Sequence, residues 1–143
     1  MYLVGPHGTN ICLDWYSKKQ TVTAPSSTDA EMTSAGRMIK YHQIPMSLFW
    51  DAVLGRSIRQ NLWEDNKGCL ANMQSGYSAE MRYLLKTQRI SVSFLHDVSQ
   101  YGVHGENGIN VQKIDTKVQR GDLLTKGLTP AGHASALGLN GLF

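Results

Sequence analysis

The chain has 143 residues, 41% of them hydrophobic and 17% charged, with a formal net charge of +3. That length supports one domain with a real core, and the composition is that of a globular protein rather than a disordered or fibrous one. The mild positive charge permits contact with a polyanion but does not argue for it, because affinity depends on where the charges sit. No apolar run reaches the length needed to span a bilayer, and the N-terminus lacks a basic-then-apolar signal pattern. Cys12 and Cys69 lie far apart with no metal-site spacing, so they read as buried, reduced thiols of a cytoplasmic or nuclear protein.

Met1–Val4 and Asn10–Tyr16 read as two short strands. Gly5-Pro6-His7-Gly8 supplies turn chemistry between them, which predicts an antiparallel hairpin. Asp14, the one acid on that hairpin, reads as a solvent-facing residue of an edge strand. After a basic turn, Ser17-Lys18-Lys19-Gln20, the stretch Pro25–Glu31 has the chemistry of a helix start. Ser27 or Thr28 caps it, and Glu31 falls inside the first turn, where the helix dipole favours a carboxylate. On spacing alone this is a capping box. The helix is expected over Thr28–Tyr41, with Met32, Ala35 and Ile39 facing a sheet and Gly36 allowing close packing. Pro45 fits the first position of a second helix through Leu54, whose Leu48, Phe49 and Val53 read as core, and Gly55 ends it.

Ile58–Glu64 reads as a strand, although Arg59, Gln60 and Asn61 interrupt the apolar run of a central parallel strand. Asp65 and Asn66 then stand where a strand gives way to a helix, a place where open α/β sheets gather ligand-binding residues. The plainer reading makes Asp65 the N-cap. The helix from Asn66 sets Cys69, Leu70 and Met73 on one side and stops at Gly76. Ser78–Tyr101 is ambiguous: Met81, Leu85, Val92 and Leu95 share a helical face, yet Ile90, Val92 and Phe94 alternate with serines as in a strand. Read as one helix, it places Arg82, Lys86 and Arg89 on a common face, either plainly solvated or turned to nucleic-acid phosphates. Gly102–Gly108 reads as a loop carrying His104, and Ile109–Asp115 as the last strand. Asp122 opens a short helix from Leu123, its carboxylate again near a helix start, where a plain N-cap is the alternative. Residues 129–143 read as a loosely held tail behind a domain spanning 1–128.

Glu31, Asp65 and Asp122 are hard oxygen ligands, which suit Mg2+ or Mn2+ rather than zinc. No Cys/His pattern of a zinc site, no Ser/His/Asp arrangement and no Gly-rich phosphate loop occurs. His7, His42, His96, His104 and His133 are scattered.

Three stretches resemble, in order and approximate spacing, the ribonuclease H domain of copia-type LTR retrotransposon polyproteins. The first is Ser17-Lys18-Lys19-Gln20 followed by Ser26-Ser27-Thr28-Asp29-Ala30-Glu31, similar to the family's SKKQ and ST-x-AE motifs. The second is Trp63-Glu64-Asp65-Asn66, then Gly76-Tyr77-Ser78 with Arg82. The third is Gly121-Asp122-Leu123-Leu124-Thr125-Lys126, which looks like AD-x-x-TK. The resemblance implies an α/β, ribonuclease H-like mixed sheet flanked by helices. It makes Glu31, Asp65 and Asp122 catalytic, metal-holding carboxylates, with Mg2+ or Mn2+ as cofactor. It implies nucleic-acid contacts through Asn66, Arg82, Lys86 and Arg89. The family's first, aspartate-bearing strand has no match in this sequence, and Asp14 does not occupy its place; the family often has His where Gln88 stands. The implied function is Mg2+-dependent hydrolysis of the RNA strand of RNA–DNA hybrids, weak or absent in this chain alone. The implied partner is the reverse transcriptase portion of the same polyprotein, with no membrane. A catalytically silent module that still binds nucleic acid or a partner is the alternative.

Overall fold

The computed structural model describes residues 1–101, 108–121, 123 and 127–140. It is a mixed α/β structure with small sheets, and it divides into two compact units: Met1–Gln20 with Asp115–Phe143, and Thr21–Ile114.

In the first unit, β1 (Tyr2–Val4) pairs antiparallel with β2 (Asn10–Cys12) in the register Tyr2 with Cys12, Leu3 with Ile11 and Val4 with Asn10. This is the expected hairpin, but its second strand stops at Cys12 instead of reaching Tyr16. The turn is a 3-10 turn at Pro6–Gly8, in which His7 takes a left-handed φ of 61°. Cys12 is exposed, against its reading as a buried thiol, because β2 faces water on both sides. Residues 130–139 are not a loose tail. They form a helix, called α6 below (Pro130–Leu139), with Pro130 in its first turn and Thr129 as its cap, accepting from the Gly132 N–H at 3.2 Å. Asn140 holds that helix within the unit, accepting from the Tyr2 hydroxyl and donating to the Arg120 carbonyl at 3.3 Å.

The second unit carries the hydrophobic core. Its first helix, α1 (Ser27–Met38), begins one residue earlier than the sequence predicts. Ser26 is the cap, and its hydroxyl accepts from the Asp29 N–H at 3.1 Å. Asp29 is therefore the first-turn acid, and Glu31 lies in the second turn. Met32, Ala35 and Ile39 are buried, as their spacing requires. The helix does not stop at Tyr41. It widens into a π turn over Ile39–Gln43, where the Ile44 N–H reaches back five residues to the Ile39 carbonyl, and continues as α2 (Ile44–Leu54). A π turn at this point accommodates Pro45, which lacks an N–H and crowds the preceding turn of a regular helix. Gly55 closes α2 with a left-handed φ of 63°. The reading of Leu48, Phe49 and Val53 as core is wrong. No residue of α2 is buried, and Phe49 and Val53 are 53% and 57% exposed.

β3 (Asn61–Glu64) pairs in parallel with β4 (Asn110–Lys113), Asn61 opposite Asn110 and Glu64 opposite Lys113. The polar residues Arg59 and Gln60, which interrupt the apolar pattern, lie before the strand proper. Among the described residues the two pairs form separate two-stranded sheets, not one continuous sheet. α3 (Lys67–Ser75) buries Cys69, Leu70 and Met73 and ends at Gly76, φ 70°. The expected single helix over Ser78–Tyr101 is broken into α4 (Leu84–Thr87) and α5 (Val92–Tyr101). Arg89 is left-handed at φ 56°, the Ile90 N–H folds back to the Leu84 carbonyl at 3.2 Å, and the Ser91 hydroxyl starts α5 by accepting from the Phe94 N–H at 3.2 Å. The alternating run is thus a helix end, a cap and a helix start. Ile90, Leu95 and Val98 join Met32, Ile39 and Met73 in the core. Fully burying side chains of this size contributes roughly 1.5–3 kcal/mol each.

Candidate functional site

The N-termini of α1 and α3 approach each other closely. Thr28 Oγ1 donates to Asn66 Oδ1 at 3.4 Å, and a Cβ on Gly68 would lie 2.8 Å from the Thr28 hydroxyl, so a larger residue there would have to displace the Thr28 side chain. Asn66, not Asp65, caps α3, its Oδ1 accepting from the Cys69 N–H at 3.0 Å. The Asn66 side chain, read from sequence as a nucleic-acid contact, is thus used in holding the turn between β3 and α3. The Asn66 N–H in turn donates to Oε1 of Glu64, two residues earlier, at 2.9 Å.

That last bond locates the centre of the site. Glu64 is only 6% exposed. Burial pushes its carboxyl above the usual range, because water no longer stabilises the charged form. The Asn66 N–H opposes this by bonding the carboxylate, while the charges of Glu31 and Asp65 push the same way as burial. Cys69, beneath them, has its thiol pushed up by burial and by the charges of Glu64 and Glu31. Its thiol meets the Met32 sulfur at 3.5 Å. Glu31 from α1 and Asp65, just after β3, are thus both near enough to act electrostatically on Glu64. Sequence reasoning singled out Glu31 and Asp65 and passed over Glu64. The period of two in a strand carried the signal: Asn61 and Trp63 are exposed, while Leu62 and Glu64 turn inward.

Asp122, the third expected carboxylate, lies outside the described residues, as does His104. Glu31 and Asp65 offer the hard oxygen donors that Mg2+ and Mn2+ take. Among the described residues, no three His, Cys, Asp or Glu side chains are arranged to hold an ion. The donor chemistry fits such a metal, and the pair needs a further carboxylate to complete a site.

A second acid of α1, Asp29, was also passed over. It is 6% exposed and accepts from the Tyr83 hydroxyl at 2.5 Å. Arg82, Lys86 and Arg89 are exposed, but they do not share one helical face. Arg82 lies in the turn before α4, donates to the Tyr77 hydroxyl and places its guanidinium 5.3 Å from that ring's centre. Arg89 sits at the break. Gln88 accepts from Arg37 at 3.5 Å. His96 is held by the Met73 carbonyl, 3.0 Å from Nδ1.

Comparison with known proteins returns no match: no family model, no curated protein and no solved structure corresponds to this chain. Among the described residues, no helix is long and apolar enough to cross a membrane.

Proposed function

We propose that this chain is a ribonuclease H-type module of a retrotransposon polyprotein, acting on the RNA strand of RNA–DNA hybrids beside the reverse transcriptase portion. What supports the reading is that Glu31 and Asp65, two carboxylates from separate elements, both act on the buried Glu64 carboxyl. Local capping does not account for it, since Ser26 and Asn66 are the caps. In this reading Glu31 and Asp65 are among the carboxylates that hold Mg2+ or Mn2+ within a ribonuclease H-like fold. A bound metal of this kind supplies charge stabilisation at the phosphodiester and an activated water. The chain's own contribution is positional. The Asn66 N–H holds the Glu64 carboxyl, and the Thr28–Asn66 hydrogen bond joins the starts of α1 and α3, the helix that carries Glu31 and the one that follows Asp65. Arg82, Lys86 and Arg89 are exposed cations available to meet hybrid phosphates, Arg82 from its support on the Tyr77 ring.

No residue of the chain matches the family's first aspartate, so the carboxylate set supplied here is incomplete and cleavage by residues 1–143 alone is weak. A misplacement of about 1 Å costs around a hundredfold in rate, and a missing carboxylate costs more. A second reading, a catalytically silent module that still binds nucleic acid, is favoured by one observation: the Glu64 carboxyl is already engaged by the Asn66 N–H. Cleavage of a labelled RNA–DNA hybrid with Mg2+ separates the two. Slow RNA-strand cleavage that Glu31→Gln and Asp65→Asn both abolish supports the hydrolase. Identical background for all three proteins, with hybrid binding retained, supports the silent module.

A further inference from the structure

Trp15–Gln20 belongs to no strand or helix, although it follows directly on the hairpin. Trp15 is 70% exposed and Tyr16 53%, and Ser17, Lys18 and Lys19 are exposed beside them. Aromatic side chains bring large gains when buried, so two in succession left mostly in water are informative in a way that a lone exposed leucine is not. No Asp or Glu occurs from Trp15 to Thr28, so nothing along the segment offsets the two lysine charges. Lys18 is three residues from Trp15, at most roughly 10 Å along an extended backbone.

We propose that Trp15–Lys19 is a docking strip for single-stranded nucleic acid, with bases stacked on Trp15 and Tyr16 and the neighbouring phosphates met by Lys18 and Lys19. The chemistry favours a single strand over a duplex. The faces of paired bases are covered by their neighbours, whereas unpaired bases stack on exposed aromatic rings while cationic side chains follow the backbone. Charge complementarity supplies the second half of the argument: the only charges from Trp15 to Thr28 are positive. The strip shares no residue with Glu31, Glu64 and Asp65. It stands whether or not the acid cluster hydrolyses anything.

The test is a titration of the full 143-residue chain against a fluorescein-labelled oligothymidylate of roughly 15 nucleotides, long enough for a typical site of this kind. The same-length duplex and phosphatidylserine-containing vesicles are run alongside. We expect the single strand to bind more tightly than the duplex. Trp15→Ala should weaken it about tenfold, within the range for one stacked base, and Trp15→Phe should restore most of the loss. The double substitution Lys18→Ala with Lys19→Ala should lower the salt slope by about 1.4, since each phosphate contact on a single strand contributes about 0.7. Failure of the oligonucleotide to bind would overturn the proposal. So would an affinity unmoved by Trp15→Ala, or binding to the vesicles alone. Because Trp15 is largely solvent-exposed, a circular dichroism melt should show the variants folded as the parent is.

Discussion

The Tyr83 hydroxyl donates to Asp29 Oδ2 at 2.5 Å, tying the turn before α4 to the first turn of α1. The Asp29 carboxylate is buried, so the bond stands in for the water it has lost. Removing the hydroxyl leaves the acid short of a partner, and hydrogen bonds to charged groups are worth about 1.5–3 kcal/mol. Tyr83→Phe should lower unfolding stability by about that much in urea melts.

The same pair has a signature in alkali. Burial, then the hydrogen bond and charge of Asp29, push the Tyr83 hydroxyl from 10.0 up to about 12. The neutral phenol therefore favours the fold. Its contribution is complete below the unfolded value near 10 and is lost as pH rises through about 12. A spectrophotometric titration of tyrosinate should show a group titrating near 12 that is missing in Tyr83→Phe.

Gly36 packs against Ile90. A Cβ at position 36 would stand 2.7 Å from Ile90 Cδ1 and 2.9 Å from Cγ2. Cδ1 can swing away about χ2, but Cγ2 moves only if χ1 turns, which a β-branched side chain resists. Gly36→Ala should cost about 1–3 kcal/mol despite alanine's better helix propensity. Combining it with Ile90→Ala should cost less than the sum of the two single changes, measured by a double-mutant cycle.

Glu64 gives the clearest pH dependence at the acid end. Its carboxyl is held above the usual range first by burial, then by Glu31 and Asp65. A raised carboxyl pKa means the folded state binds a proton that the unfolded state has released. Its contribution is present below the unfolded value and is lost as pH rises through the folded one. Glu64→Gln keeps an oxygen for the Asn66 N–H and removes the charge. The variant should melt higher than the parent at pH 7 and show no advantage at pH 4. A lower melting temperature at pH 7 would mean that the charged form is needed.

Much of the secondary structure could be read from the chain because local rules decide it. Gly55 and Gly76 end their helices in left-handed turns, and Met32, Ala35 and Ile39 mark a buried face by spacing alone. The failures have distinct physical causes. Apolar Leu48, Phe49 and Val53 look like core, but nothing local says whether another element will cover α2. The break at Arg89 is invisible because a non-glycine residue takes the left-handed turn that glycine usually marks. Of the candidate site, Glu31 and Asp65 were singled out through a motif resemblance, while the burial of Glu64 was signalled only by strand alternation that four residues state weakly. The Tyr83–Asp29 bond joins residues 54 positions apart, a separation no local pattern encodes.

The most direct test is binding of Mn2+ to the 143-residue chain, followed by calorimetry, with Glu31→Gln and Asp65→Asn compared under the same conditions. If these carboxylates hold the metal together, the parent should bind and each substitution should weaken binding about tenfold or more. Even residues that only support a metal's ligands cost 10–100-fold when changed, as an order-of-magnitude guide. Equal binding by all three proteins, or none by any, would contradict a metal site built on Glu31 and Asp65.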